Sequence, residues 1–312
     1  MNMTRRDFLR QAAMASSVLA AGGVPCAAAP EAAKGKSPVL ASISGVALPG
    51  QMAAALSKLL APLGGMSAFV KKGQTVLLKP NMGFPTPPSQ HATTSPELVA
   101  CVARLVIACG AKRVLVMDNP THHPEACMRL VGMKEALKGL DVHLFMPTSD
   151  KMYVETPIPR GKVLKQTKIL GDALKADVHI ALPIAKSHNA AGFSGTLKGM
   201  MGLILDRESF HARMDLNQAI ADLNTVLRPH LVIMDGLMVM TTDGPAGPGE
   251  LVTTNTLLAG TDALAVDAAG VTLAPLYGRK LKPQQIKHLK LFSEMGLGVL
   301  QPPAELTVSL TL

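Results

Sequence analysis

From residue 39 to residue 310 the chain alternates short apolar runs rich in branched residues with longer segments of helical periodicity. Strands are predicted over residues 39–46, 75–79, 113–117, 142–146, 178–182, 231–234, 254–258 and 306–310. Helices are predicted over 51–61, 97–109, 124–137, 216–227, 263–273 and 283–295. Ser95 stands as the N-cap of the second helix, with Pro96 at its first position and Gly110 after its end. Strands that are apolar on both faces and separated by helices predict an α/β fold, a mostly parallel sheet with helices on both faces. No composition shift divides residues 38–312, so a single domain is expected there. Residues 153–175 break the rhythm and are read as an irregular insertion or a small antiparallel extension.

The polar residues of this pattern gather at one kind of place. Lys79 and Asn81, Asp118 and Asn119, Lys186 and His188, and Asp235 each follow the C-terminal end of an expected strand. In open parallel sheets that edge binds ligands. The richest stretch runs from Leu182 to Gly202, where Pro183 ends a strand and a Gly-rich loop follows. Lys186, His188 and Lys198 bring positive charge and N–H donors, and Ser187, Ser194 and Thr196 bring hydroxyls. A helix is expected to begin near Ser194, and donors grouped at a helix start suit an anion. No P-loop and no dinucleotide fingerprint occurs, which argues against a nucleotide as the default ligand.

Chemical roles follow from these residue types. Lys79, Asn81, Ser187, Ser194, Thr196 and Lys198 are the expected ligand-binding set. Lys186 and His188 are the expected catalytic pair, since an unperturbed imidazole titrates at about 6.5 and serves as acid or base at neutral pH. Asp118, His122 and Asp235 are the candidate ligands of a divalent metal. Asp235 and Asp243, the latter in a second Gly/Pro loop, are alternatively placed to orient Lys186 or Lys198. Asp262 reads first as a helix N-cap. There is no local Ser-His-Asp, paired-carboxylate or H-E-x-x-H signature.

The N-terminus fixes an expected compartment. Arg5 and Arg6, followed by Phe8 and Leu9 and then by an Ala-rich run, match a twin-arginine signal over residues 1–28, with a linker over 29–37. The expected product is a periplasmic protein exported already folded, with no transmembrane anchor after cleavage. The formal charge of +9 does not point to nucleic acid, because the lysines are scattered and aromatic residues make up only 3% of the chain. Acidic small molecules or an anionic membrane surface are the better match. Cys101 and Cys109 share one helix and cannot bridge each other, and no C-x-x-C occurs. A cysteine-ligated iron–sulfur cluster is therefore not expected in this chain. The methionines, such as Met128, Met133, Met200, Met201, Met238 and Met240, read as core filling.

Several of these residues carry a resemblance. Lys79-Pro80-Asn81, Lys186-Ser187-His188, Leu197-Lys198-Gly199 with Gly202, Asp206-Arg207, Phe210-His211, Asp243-Gly244-Pro245, and Asp262 with Asp267 are similar to the landmarks of the family called domain of unknown function 362. The resemblance spans nearly all of the chain after the leader and implies an α/β fold. Family members are described as iron–sulfur related, partly because some carry a fused ferredoxin segment, and that module is absent from this sequence. The chain also departs from the family pattern, with Lys198-Gly199 where Lys-Asn is usual and Asp262-Ala263 where Asp-Pro is usual. Two functions are thus expected to compete. One is binding of a small anionic ligand or cofactor, with or without a metal, at the strand-end cleft. The other is a non-catalytic accessory role in a redox or metal-cofactor system, with a redox partner protein.

Overall fold

The computed structural model describes residues 38–48 and 50–312. The expected leader and the whole of the linker, residues 1–37, lie outside the described residues. Five parallel strands form the heart of the sheet: β2 (Thr75–Pro80), β3 (Arg113–Met117), β4 (His143–Phe145), β7 (Val178–Leu182) and β10 (Leu231–Met240). Their spatial order is β10-β7-β2-β3-β4. The chain therefore builds outward from β2 through β3 to β4, then returns to the other side of β2 for β7 and β10. This is the doubly wound arrangement, and its order reverses between β2 and β7.

The sequence explains why the faces are covered. Val76 and Leu78 of β2 join Val114, Val116, Val178, Ile180 and Ile233 in one apolar cluster, together with helices Met52–Leu60 and Pro96–Ala108. Leu77, Leu115, Met117, Ala181, Val232 and Met234 point to the opposite cluster, with helices Leu216–Leu223, Ala263–Val271 and Lys287–Glu294. Successive strand residues face opposite sides, so strands covered twice must be apolar throughout.

The other strands extend and cap this core. Antiparallel β11 (Leu251–Gly260) joins β10 to β1 (Leu40–Ser44), and β12 (Thr307–Thr311) lies parallel to β1 at the edge. The irregular segment is a two-stranded antiparallel hairpin, β5 (Tyr153–Pro157) and β6 (Gln166–Leu170). Its turn is held by Asp222, whose Oδ2 accepts the N–H groups of Lys162, Val163 and Leu164 at 2.7, 2.7 and 3.0 Å.

Three expectations need correction. The helix over 124–137 is two, Pro124–Leu130 and Met133–Ala136, because Gly132 between them adopts φ +72°. The loop expected after Pro183 contains a further strand, β8 (Ile184–His188), parallel to β10 and antiparallel to β9 (Gly192–Ser194). The proline interrupts the ladder without ending the extended chain, and Asp235 N donates to Pro183 O at 2.8 Å. The helix after Ser194 is one short turn, Thr196–Gly199, followed by a 3-10 turn over Met200–Leu203. Ser95 caps its helix as expected, accepting Leu98 N at 3.4 Å, and Asp262 accepts Leu264 N and Ala265 N.

Candidate functional site

At the switch point β2 and β7 end side by side, Pro80 opposite Leu182, and their chains diverge. Thr94 bridges the gap: its hydroxyl donates to Leu182 O at 2.6 Å and accepts from Asn81 N at 2.9 Å. Beyond these ends lies a cavity of about 420 Å³. Its polar wall includes Lys79, Asn81, Asp118, Asn119, His188, Ser194, Lys198, Arg207 and His211, and its apolar wall includes Phe84, Met201, Leu205 and Pro245.

Lys79 and Asp118, at the ends of neighbouring strands, form a buried ion pair at 2.9 Å. Each partner is further satisfied: Lys79 Nζ donates to Pro80 O at 2.7 Å, and Asp118 Oδ2 accepts Met82 N at 2.6 Å. Such bonds are what a buried pair requires to offset its desolvation. Gly202 packs against the pair so closely that a Cβ there would lie 1.9 Å from Asp118 Oδ1 and 2.7 Å from Lys79 Nζ. Its carbonyl accepts Asn119 N at 2.8 Å. The Met200–Leu203 turn is thereby held against the ends of β2 and β3.

His188 ends β8 and is 5% exposed. Its Nδ1 accepts the backbone N–H groups of Ala190 and Ala191, each at 3.2 Å. The ring proton must therefore sit on Nε2. Burial first, then the charges of Lys198 and Lys186, push its pKa down to about 3. This corrects the expectation of an imidazole that exchanges protons near neutrality. His188 is a neutral N–H donor at pH 7, a form suited to stabilising negative charge on a ligand oxygen. The exposed ring of His211 stacks over it, with centroids 6.4 Å apart.

The two lysines of the central stretch have different surroundings. Lys186 is fully buried and does not line the cavity. Its ammonium donates to Ala92 O and, at 2.7 Å, to Pro245 O, and it lies 4.5 Å from the centre of the Phe84 ring. Burial lowers its pKa to about 7, with the Lys198 charge adding to the effect and Asp118 opposing it. Lys198 does line the cavity, and its ammonium has no hydrogen-bond or ion-pair partner among the described residues. Burial, followed by the Arg207 charge, lowers its pKa to about 8.

Of the remaining expected residues, Asn81 and Ser194 face the cavity, whereas Ser187 and Thr196 stand behind its wall. Ser187 Oγ accepts Gly244 N at 3.0 Å and so fixes the second Gly/Pro loop. Thr196 N and Leu197 N donate to the buried Asp267 at 2.6 and 2.9 Å, which supports the short helical turn from across the core. Burial raises the Asp267 pKa to about 6.

The expected metal trio does not assemble. The oxygens of Asp118 are taken by Lys79 and Met82 N, and those of Asp235 by Ser95 N at 2.8 Å and Leu237 N at 3.2 Å. His122 is exposed, bonded to the Thr121 hydroxyl and edge-on to Phe84. Among the described residues no group of three or more His, Cys, Asp and Glu is arranged to hold a metal ion. Asp235 and Asp243 are likewise not bonded to Lys186 or Lys198.

Arg207 received no role from sequence. It lies in the cavity wall and donates through both terminal nitrogens to the carbonyls of Asn119 and Pro120, just past the C-terminal end of β3. The Asp206-Arg207 landmark was its one sequence signal. At the rim, Asp206 is turned toward Ser209, accepting its N–H at 3.0 Å and its hydroxyl at 2.5 Å, and Glu208 is exposed.

Comparison with known proteins gives three results. The family described as Domain of unknown function (DUF362) matches residues 76–272, which contain the whole cavity wall. A thylakoid-associated protein of Synechocystis is 28% identical over 269 residues, covering 84% of this chain and 80% of that protein. Among solved structures, the lactate racemase apoprotein of Thermoanaerobacterium thermosaccharolyticum has a TM-score of 0.44 at 14% identity, covering 82% of this chain and 56% of that one. A Thermotoga maritima protein has a TM-score of 0.44 at 15% identity, covering 81% of this chain and 60% of that one. This chain thus spans less than two thirds of either solved chain.

Proposed function

The chain belongs to the DUF362 family, and from that premise we propose that it binds a small anion, bearing a carboxylate or a phosphate, in the cavity at the switch point of its sheet. The observation that carries this reading is the unpartnered Lys198 ammonium in the cavity wall, beside Arg207. A charged amine placed there without a counter-ion is stabilised by an anionic ligand. Arg207 is already oriented by two carbonyls, so little side-chain freedom is lost when it engages an oxyanion. Neutral donors complete the set: His188 Nε2–H and the Ser194 hydroxyl. Lys79 contributes no net charge, because Asp118 neutralises it.

Titration calorimetry with inorganic phosphate and with pyruvate tests the reading. The full-length mature protein is expected to bind at least one of them. Lys198→Gln is expected to weaken binding about tenfold or more, the effect of removing one charge-assisted hydrogen bond. Absence of heat with both anions, or an unchanged affinity in Lys198→Gln, would return the protein to the non-catalytic accessory role.

The reading includes a location outside the cytoplasm, reached by the twin-arginine route. The Arg5-Arg6 signature and the thylakoid association of the Synechocystis relative support it. No helix among the described residues is long and apolar enough to cross a membrane. Cell fractionation checks this directly, since Arg5→Lys with Arg6→Lys is expected to hold the protein in the cytoplasm.

A further inference from the structure

Three lysines approach the strand-end cavity, and their amines are in different chemical states. Lys79 is committed to Asp118 and to Pro80 O. Lys186 is clamped by Ala92 O and Pro245 O behind the wall. Lys198 alone of the three has no partner among the described residues, and it faces the cavity. Its neighbours there include Lys79 and Arg207 as cations, Asp118 as the opposing charge, and the neutral His188.

From this arrangement we infer that Lys198 is a covalent, imine-forming lysine for a small aldehyde or ketone that also carries the anionic group. The inference rests on the anion-binding reading above, because Arg207 and the Ser194 hydroxyl would hold the anion while the carbonyl carbon meets the amine. The Lys198 lone pair attacks that carbon, and the carbonyl π pair moves to oxygen. The oxygen takes up both amine protons in turn, first forming a carbinolamine and then leaving as water while nitrogen closes the C=N bond. Amine plus carbonyl gives imine plus water, with no oxidant or reductant. His188 Nε2–H is the neutral donor available to the oxygen as it becomes negative. A lysine next to other cations in a desolvated site is the arrangement that maintains free amine near neutral pH, and the Lys198 pKa of about 8 accords with it.

The test traps the adduct. The mature protein is incubated at pH 7.5 with pyruvate and sodium cyanoborohydride, and the modified lysines are located by peptide mass spectrometry. Acetone, which lacks the anion, serves as the control carbonyl. The expected result is labelling of Lys198 by pyruvate at least about tenfold above any exposed lysine, reflecting its larger free-amine fraction. Labelling by acetone should be much weaker, and phosphate should suppress the pyruvate label. Lys198→Arg, which removes the nucleophilic amine, should abolish the preferential label. Label spread over exposed lysines with no preference for Lys198 overturns the inference, and mapping the wild-type protein gives that answer even if the variant does not fold. Phosphate binding with no Lys198 label overturns the imine step and leaves the anion site standing. Absence of phosphate and pyruvate binding in the wild-type protein removes both.

Discussion

Within thirteen residues, from Lys186 to Lys198, three side chains that the sequence grouped as one basic cluster have three separate states. Lys186 is a buried clamp, His188 a neutral donor and Lys198 an unpartnered amine. The His188 state gives the first prediction. A ring whose Nδ1 accepts two backbone N–H groups, and whose pKa is about 3, stays in the Nε2–H form across the neutral range. Nitrogen-detected NMR of the imidazoles should show His188 unchanged between pH 5 and 8. A titration centred near 6.5 would refute the assignment. The sequence identified these residues and their position after a strand, because Pro183 and the Gly-rich run mark where the chain leaves the sheet. It gave no hint of their protonation. That depends on burial and on charges the fold brings close, Lys198 and Lys186 for His188, and Arg207 and the sequence-distant Asp118 for Lys198. Arg207 went unassigned for a related reason: its partners, the carbonyls of Asn119 and Pro120, are backbone groups that leave no compositional mark.

Among the elements, those built on long apolar periodicity were legible, and those held by single buried polar contacts were not. The two helices Pro96–Ala108 and Ala263–Val271 begin where Ser95 and Asp262 predict. In contrast, β8 follows a proline and carries Lys186, Ser187 and His188, so it reads as loop, and the pairing with β10 and β9 makes it a strand. The Met200–Leu203 turn depends on Gly202 lying against the Lys79–Asp118 pair. Gly202→Ala must therefore separate a buried pair or displace the turn, and a loss of about 3–5 kcal/mol is expected in urea unfolding, with weaker phosphate binding. An unchanged midpoint would mean that the turn yields freely. The β5–β6 hairpin depends in the same way on Asp222. Asp222→Ala leaves three N–H groups without their acceptor, at about 1–3 kcal/mol for each donor that stays dry. Hydrogen exchange should quicken at Lys162, Val163 and Leu164 before it does elsewhere in the sheet.

Across the whole molecule, the doubly wound order brings segments far apart in sequence to one cleft, and Lys186 ties them together through Ala92 O and Pro245 O. This placement of buried cationic groups sets how stability varies with pH. His188 and His288 titrate near 3 in the folded protein against an ordinary 6.5, so the unfolded chain binds more protons below 6.5 and stability rises from about pH 3 to 6.5. Asp267, raised from 3.8 to about 6, opposes this between those two values, because there the folded state binds the extra proton. Lys186 and Lys198, lowered from 10.5 to about 7 and 8, again leave the unfolded chain with more protons bound, so stability keeps rising above pH 7. Burial holds the Cys101 and Cys127 thiols above their ordinary 9.0 and pushes Tyr153 up to about 12, which opposes the rise once the unfolded thiols and then the phenol ionise. Thermal unfolding should therefore be more resistant at pH 9 than at pH 7, with its maximum on the alkaline side of neutrality. Lys186→Met removes one of the two lysines from the balance and should flatten the rise between pH 7 and 9, while the acid limb below 6.5, set mainly by burial of His188 and His288, is reduced only in part. A melting temperature that peaks at or below pH 7, or a slope unchanged in Lys186→Met, would show that the buried amine does not control the alkaline limb. The clamp would then have to be as well solvated by its two carbonyls and the Phe84 ring as a lysine is by water.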